Sequence, residues 1–133
     1  MVEFAVILPV LLVLLLALVQ FALVFDAYLS LEESARIGVR AWATGEATTQ
    51  AAVRAVVDQA SPSLAAGAVG AVVLGCPQYA GGECPGSGVA EPQGTLLEVT
   101  VAYTEPIVVP PFDALFGATL PLRASVVMES EAP

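Results

Sequence analysis

The sequence predicts an α+β fold: a long N-terminal helix, hydrophobic then amphipathic, packed on a small antiparallel sheet with a second short helix. Three observations predict it. From Phe4 to Phe25 the chain reads FAVILPVLLVLLLALVQFALVF, 22 residues in which only Gln20 is polar and only Pro9 breaks helices. From Asp26 to Gly45 apolar residues recur at helical spacing. Near the C-terminus, two stretches alternate apolar and polar side chains, the period of a half-buried strand.

The first run is long enough, as a helix of roughly 33 Å, to match a hydrocarbon core of about 30 Å. It is apolar all round and offers no solvent face. A cleaved signal peptide wants a basic start and a shorter apolar run, of about 7–15 residues. Here Glu3 makes the start acidic, and the helical pattern continues past the end of the run. Pro9 has no N–H, so the Ala5 carbonyl loses its helical donor, and a kink or a short melted turn is expected there. Beyond Asp26, Tyr28, Leu31, Ala35, Val39 and Trp42 form one stripe, while Asp26, Ser30, Glu33 and Arg40 line another face. Glu32 and Arg36 make an i,i+4 pair in the favourable order. Gly45 is the expected stop, giving one helix of about 40–44 residues, roughly 60–66 Å long.

Thr48 or Thr49 can cap a second helix, whose stripe is Val53, Val56, Val57 and Ala60 and which closes at Ser61-Pro62. Residues 68–74 predict a first strand, interrupted by Gly70. A Gly/Pro-rich loop over 75–94 carries both cysteines. Residues 95–105 predict the clearest strand, with Leu97, Val99, Val101 and Tyr103 on one face. An apolar, proline-rich excursion follows, then a last strand over 119–129 whose inward face is Leu120, Leu122, Ala124, Val126 and Met128. Pro121 suggests an edge, and the tail from Ser130 is expected to be loose. A three-stranded sheet needs a cover on its apolar face, which the Tyr28–Trp42 stripe can supply. The expected division is a helix over 1–46, with a membrane half 4–25 and an amphipathic half 26–45, then a small exported head domain over 47–133.

Composition excludes several functions. Thirteen acidic residues face four arginines, for a net charge of −9. That balance argues against nucleic acid, which is bound through Lys and Arg at phosphates, and against an anionic lipid surface. The chain has no Lys, His or Asn. It therefore has no Schiff-base lysine, no imidazole base or ligand, and no N-x-S/T glycosylation site. Glu32 and Glu33 point about 100° apart on a helix and do not converge on one atom. The acidic residues follow no calcium-loop pattern, and nothing resembles a nucleophile elbow or a phosphate loop. We expect no enzyme, no catalytic residue, no cofactor and no metal. Cys76 and Cys84 could be a disulfide, a metal pair or a redox pair. Two thiolates without His are too few for zinc, and the spacing is not Cys-x-x-Cys. With an export-type N-terminus, a disulfide closing a small loop is the natural reading.

The stretch VEFAVILPVLLVLLLALVQFALVFDAYLSLEESARIGVRAWATG, Val2 to Gly45, resembles type IV pilins and, more narrowly, the TadE-like family of tight-adherence (Tad) pilus proteins. Such chains open with V-E-F-A-x-x-x-P and an apolar run. An acidic or aromatic stretch and an Ala/Arg-rich segment ending in A-T-G follow. The later order of short helix, strand pair and terminal strand is also similar. The resemblance implies a prepilin in the inner membrane, cut by a prepilin peptidase. Assembly machinery then builds it, helix inward, with copies of itself into a helical extracellular filament. Residues 4–25 would form the filament core. Glu3 matches the glutamate that pairs with a neighbour's α-amine, which can be methylated, and Phe4 and Pro9 lie in the same assembly element. An ordinary polar residue at a membrane-helix end is the plain alternative for Glu3. Only Met1 and Val2 precede Glu3, which leaves the cleavage position open. Arg36 and Arg40 lie on the presumed outer side, and a basic leader would restore the positive-inside balance. A single-span anchored protein with a partner-binding exported domain is the alternative function.

Overall fold

The computed structural model describes residues 2–62, 64, 69–84, 92–109, 112, 114 and 117–131. Five elements follow in order: α1 (Val2–Ala43), α2 (Gln50–Ala60), β1 (Val69–Gly75), β2 (Leu96–Pro106) and β3 (Thr119–Glu129). The arrangement is α+β, as the sequence predicts.

α1 is one helix of 42 residues and runs on through Pro9. It ends where expected. Gly45 has φ 75°, the left-handed conformation that glycine adopts without a Cβ penalty. The Gly45 N–H donates to the Trp42 carbonyl, and the Ala47 N–H to that of Ala41. Thr49 caps α2, its hydroxyl accepting from the Ala52 N–H. Val53 and Val57 are buried on its inner face, and the helix closes at Ser61.

The sheet is antiparallel with order β1-β2-β3. β2 and β3 pair without interruption from Leu96↔Glu129 to Pro106↔Thr119. β1 is shorter, and its register shifts between Val69 and Val72, the stretch containing Gly70. α2 serves this irregular edge: Gln50 Nε2 donates to the Val72 carbonyl and Arg54 Nη2 to the Val69 carbonyl. Leu97, Val99, Val101 and Tyr103 are buried, as their alternation predicts. On β3 only Ala124 is fully buried, with Leu122, Val126 and Met128 partly buried against the core.

α1 lies across β2 and β3, and α2 packs against α1 and β1. The buried stripe of α1 is Gln20, Ala27, Leu31, Ser34, Ala35, Gly38, Val39 and Trp42, with Val24 half-buried. Tyr28 was expected in this stripe and is instead 40% exposed. Ala27 takes its place, because steps of 3.6 residues back from Leu31 reach 27. The tail also differs from expectation. Ser130 is buried, its N–H donates to the Thr95 carbonyl, and the Glu131 N–H donates to the Ala43 carbonyl at the end of α1. Residues 132–133 lie outside the described residues.

One end of the sheet is thus tied to Ala43, and the other lies at Gln20. An 11-residue strand spans about 36 Å, and the helix from Gln20 to Ala43 spans about 35 Å. The sheet therefore runs out at Gln20. Below it α1 projects uncovered.

Candidate assembly site: the apolar stem and the Gln20 clasp

From Phe4 to Val19 every described side chain of α1 is exposed or half-exposed. Phe4 is 70% exposed, and Leu11, Leu14, Leu15 and Leu18 are all exposed. This stem belongs to a helix long and apolar enough to cross a membrane. A monomer in water would show far more contiguous apolar surface than soluble proteins tolerate.

The stem carries the residues expected from sequence to drive assembly. Glu3 lies in the first turn of α1, and its side chain is outside the described residues. Phe4 points off the helix into the surroundings, and Pro9 sits inside the helix. Glu3, Phe4 and Pro9 thus share one element and lie far from the sheet. Cys76 and Cys84 sit at the opposite end of the head domain, joined in a disulfide with Cα atoms 5.0 Å apart. Cys76 is buried, and its loop is closed again by Cys76 N–H to the Gly82 carbonyl at 2.8 Å. The disulfide is a structural staple of that loop. Among the described residues no group of His, Cys, Asp and Glu could hold a metal ion.

The junction between stem and head domain is built around Gln20. The segment between β2 and β3 folds down onto α1, and the Gln20 Oε1 accepts from the N–H of Val108 at 3.1 Å and of Val109 at 3.2 Å. Gln20 is 8% exposed. Its Nε2 is buried and has no hydrogen-bond partner among the described residues. The two donors fix the amide orientation, because a flipped amide would set an NH₂ against two N–H groups. Beside it lies an open, almost wholly apolar groove of about 370 Å³, lined by Ala17, Phe21, Val24, Ile107, Phe112 and Leu120. Phe21 and Phe25 stack with centroids 6.1 Å apart.

The sequence marked Gln20 as the lone polar residue of the run. It gave no sign that the proline-rich excursion would be the partner, because the two are separated by 88 residues. Ile107 was expected only to belong to an irregular stretch. The signal was there in principle: two backbone N–H groups in an apolar loop need an acceptor.

Of the remaining ionisable groups, Tyr103 stands out. Burial, then a hydrogen bond to Glu105 and that carboxylate's charge, push its phenol above the usual 10.0. It lies in the core under α1 and is structural.

The comparison with family models decides how the N-terminus is read. Residues 1–40 match the family model described as TadE-like protein. No curated protein and no solved structure matches the chain. The TadE-like match covers the stem, Gln20 and most of the buried stripe, and stops one turn before α1 ends. The sheet and the disulfide loop lie beyond it. The TadE-like family associates the chain with the Tad pilus system in general, and the apolar helix fits membrane anchoring.

Proposed function

We propose that the protein is a structural subunit of a Tad-type pilus. It is held in the inner membrane by α1 and then assembled through α1, with copies of itself, into a helical extracellular filament. The observation that carries this reading is the exposed stem from Phe4 to Val19. It is joined to a water-compatible head domain and lies within the TadE-like match.

An all-round apolar helix is satisfied by lipid or by several other helices. A lateral dimer covers only one side. A head-to-tail arrangement that does not close covers several, and it yields a filament. In this reading Glu3 pairs with a neighbour's α-amine, since a carboxylate beside an apolar interior is costly when unpaired. A prepilin peptidase and the pilus machinery are the implied partners. The protein acts as a building block and not as an enzyme.

Shearing cells that express the wild-type chain should release filaments containing it, and mass spectrometry of that material should define the mature N-terminus. Glu3→Ala should leave the protein in the membrane fraction with little sheared filament. Wild-type protein found only in the detergent extract would instead support a single-span anchored protein that never polymerises.

A further inference from the structure

We propose that the loop after β2, residues 106–112, is a second membrane-contacting element. It sinks into the headgroup–acyl boundary on the head domain's side, clasped to α1 through Gln20, and lipid hydrocarbon fills the groove between loop and helix. The inference goes beyond the filament reading and rests only on α1 as a membrane helix.

The loop reads Pro-Ile-Val-Val-Pro-Pro-Phe, without one polar side chain, between Glu105 and Asp113. Val108 is 67% exposed, and Ile107 and Phe112 are half-buried. Residues 106, 110 and 111 are prolines and have no N–H. The Ile107 N–H donates to the Ala118 carbonyl and the Phe112 N–H to the Val109 carbonyl. The N–H groups of Val108 and Val109 donate to Gln20 Oε1. Every N–H from 106 to 112 is therefore absent or paired within the chain. A loop in water has no need of this, since solvent pairs its free donors. Toward the acyl region, where water is scarce, each unpaired donor is costly. Gln20 interrupts the apolar run at the one place where two backbone donors must be met.

The depth agrees. Gln20 lies five residues, about 7–8 Å, inside the end of the run at Phe25, and interfacial elements bury their apolar side by about 5–10 Å. The groove lies at the same level, with Ala17, Phe21 and Val24 of α1 on one side and Ile107, Phe112 and Leu120 on the other. A net charge of −9 gives anionic lipid nothing to attract, so the contact is apolar and indifferent to salt.

The test uses the full-length chain in phosphatidylcholine vesicles at high lipid excess, with Val108→Cys carrying an NBD fluorophore. The two native cysteines bond each other, so the introduced thiol alone takes the label. The Val108 side chain is exposed, and the clasp uses only its N–H. Leu18→Cys on the stem and Val127→Cys toward the far end of β3, both exposed positions, are the references. Lipids spin-labelled high on the acyl chain should quench the Val108 label nearly as strongly as the Leu18 label and leave the Val127 label bright, at low and high salt alike. Adding Gln20→Leu should abolish most of the Val108 quenching and leave the Leu18 quenching unchanged, because two N–H groups then need water.

A Val108 label as bright as the Val127 label, with Leu18 quenched, would overturn the loop's entry and leave α1 in the membrane. A second copy lying over the loop would give that same result. Equal Val108 quenching with and without Gln20→Leu would overturn the clasp. An unquenched Leu18 label would remove the membrane reading along with the loop. Filament formation plays no part in these measurements, so the pilus reading stands or falls separately.

Discussion

At the scale of single residues, Gly38 shows why a glycine occupies the middle of a buried helix stripe. α2 crosses α1 there, and a Cβ on residue 38 would come within 2.6 Å of Val57 Cγ2. Val57 is β-branched and held in a helix, so its methyl has little freedom to move aside. Gly38→Ala gains about 1 kcal/mol of helix propensity against an overpacking cost of about 1–3 kcal/mol. The expected outcome is a net loss of stability in denaturant titration of the detergent-solubilised chain. Gly38→Ala/Val57→Ala should behave differently, with the clash removed, and show a smaller loss than the two single changes added together.

Tyr103 carries a pH prediction. Folding raises its pKa above 10.0, so the native state holds the phenolic proton more tightly than the unfolded chain. Its contribution is complete below about pH 10 and is lost as pH rises through the folded value. Stability should therefore decline more steeply above pH 10 in the wild type than in Tyr103→Phe. Equal slopes in the two proteins would show that folding does not raise the Tyr103 phenol.

At the scale of elements, α1 combines two environments in one continuous helix, and its halves differed in how far they could be read. Beyond Asp26, polar and apolar residues alternate at helical spacing, so Leu31, Ala35, Val39 and Trp42 were legible on the buried face, while Ala27 stands in place of Tyr28 and Ser34 and Gly38 are buried beside them. Before Asp26 there is no polarity contrast, and periodicity carries no information about which face is covered or where cover begins. Burial begins at Gln20, inside the run. The strands were legible because alternation fixes both face and extent. The fold-back of 107–109 onto Gln20 was not, being a contact between distant segments with no pattern of its own.

A truncated chain tests the clasp. A protein starting at Ala17 keeps Gln20 and Val24 under the loop, whereas one starting at Asp26 loses both. The longer protein should unfold at a temperature higher by about 5–15 °C, from two hydrogen bonds and the apolar cover they organise. Identical melting curves by circular dichroism would show that the loop stands without the helix beneath it.

At the scale of the whole molecule, the head is tied to α1 at both ends of the sheet. The tail meets the last turn of α1 through Glu131 and Ala43, and the loop between β2 and β3 meets Gln20 at the far end. Glu3, Phe4 and Pro9 were read in the sequence as one assembly element, and the structure places all three on the projecting stem, with Phe4 and Pro9 described there. The disulfide was legible from two cysteines in a chain with an export-type N-terminus. The groove was not, because it is formed by three segments that meet only in the folded chain.

The match in length between β2 and the covered part of α1 makes the sheet a ruler. Strand length, not helix hydrophobicity, decides how many turns stand free below the head. The free part, Val2 to Val19, is about 27 Å long, close to a hydrocarbon core of about 30 Å. The head would therefore rest at the lipid surface with Ile107 and Phe112 as its foot, although Phe21–Phe25 is itself greasy enough to sink. Each residue pair added to β2 and β3 would advance that foot by about 3.3 Å toward the N-terminus and shorten the reach of the stem by about two residues. In the proposed filament, depth in the membrane and overlap between neighbours would thus be set together, by one pair of strands.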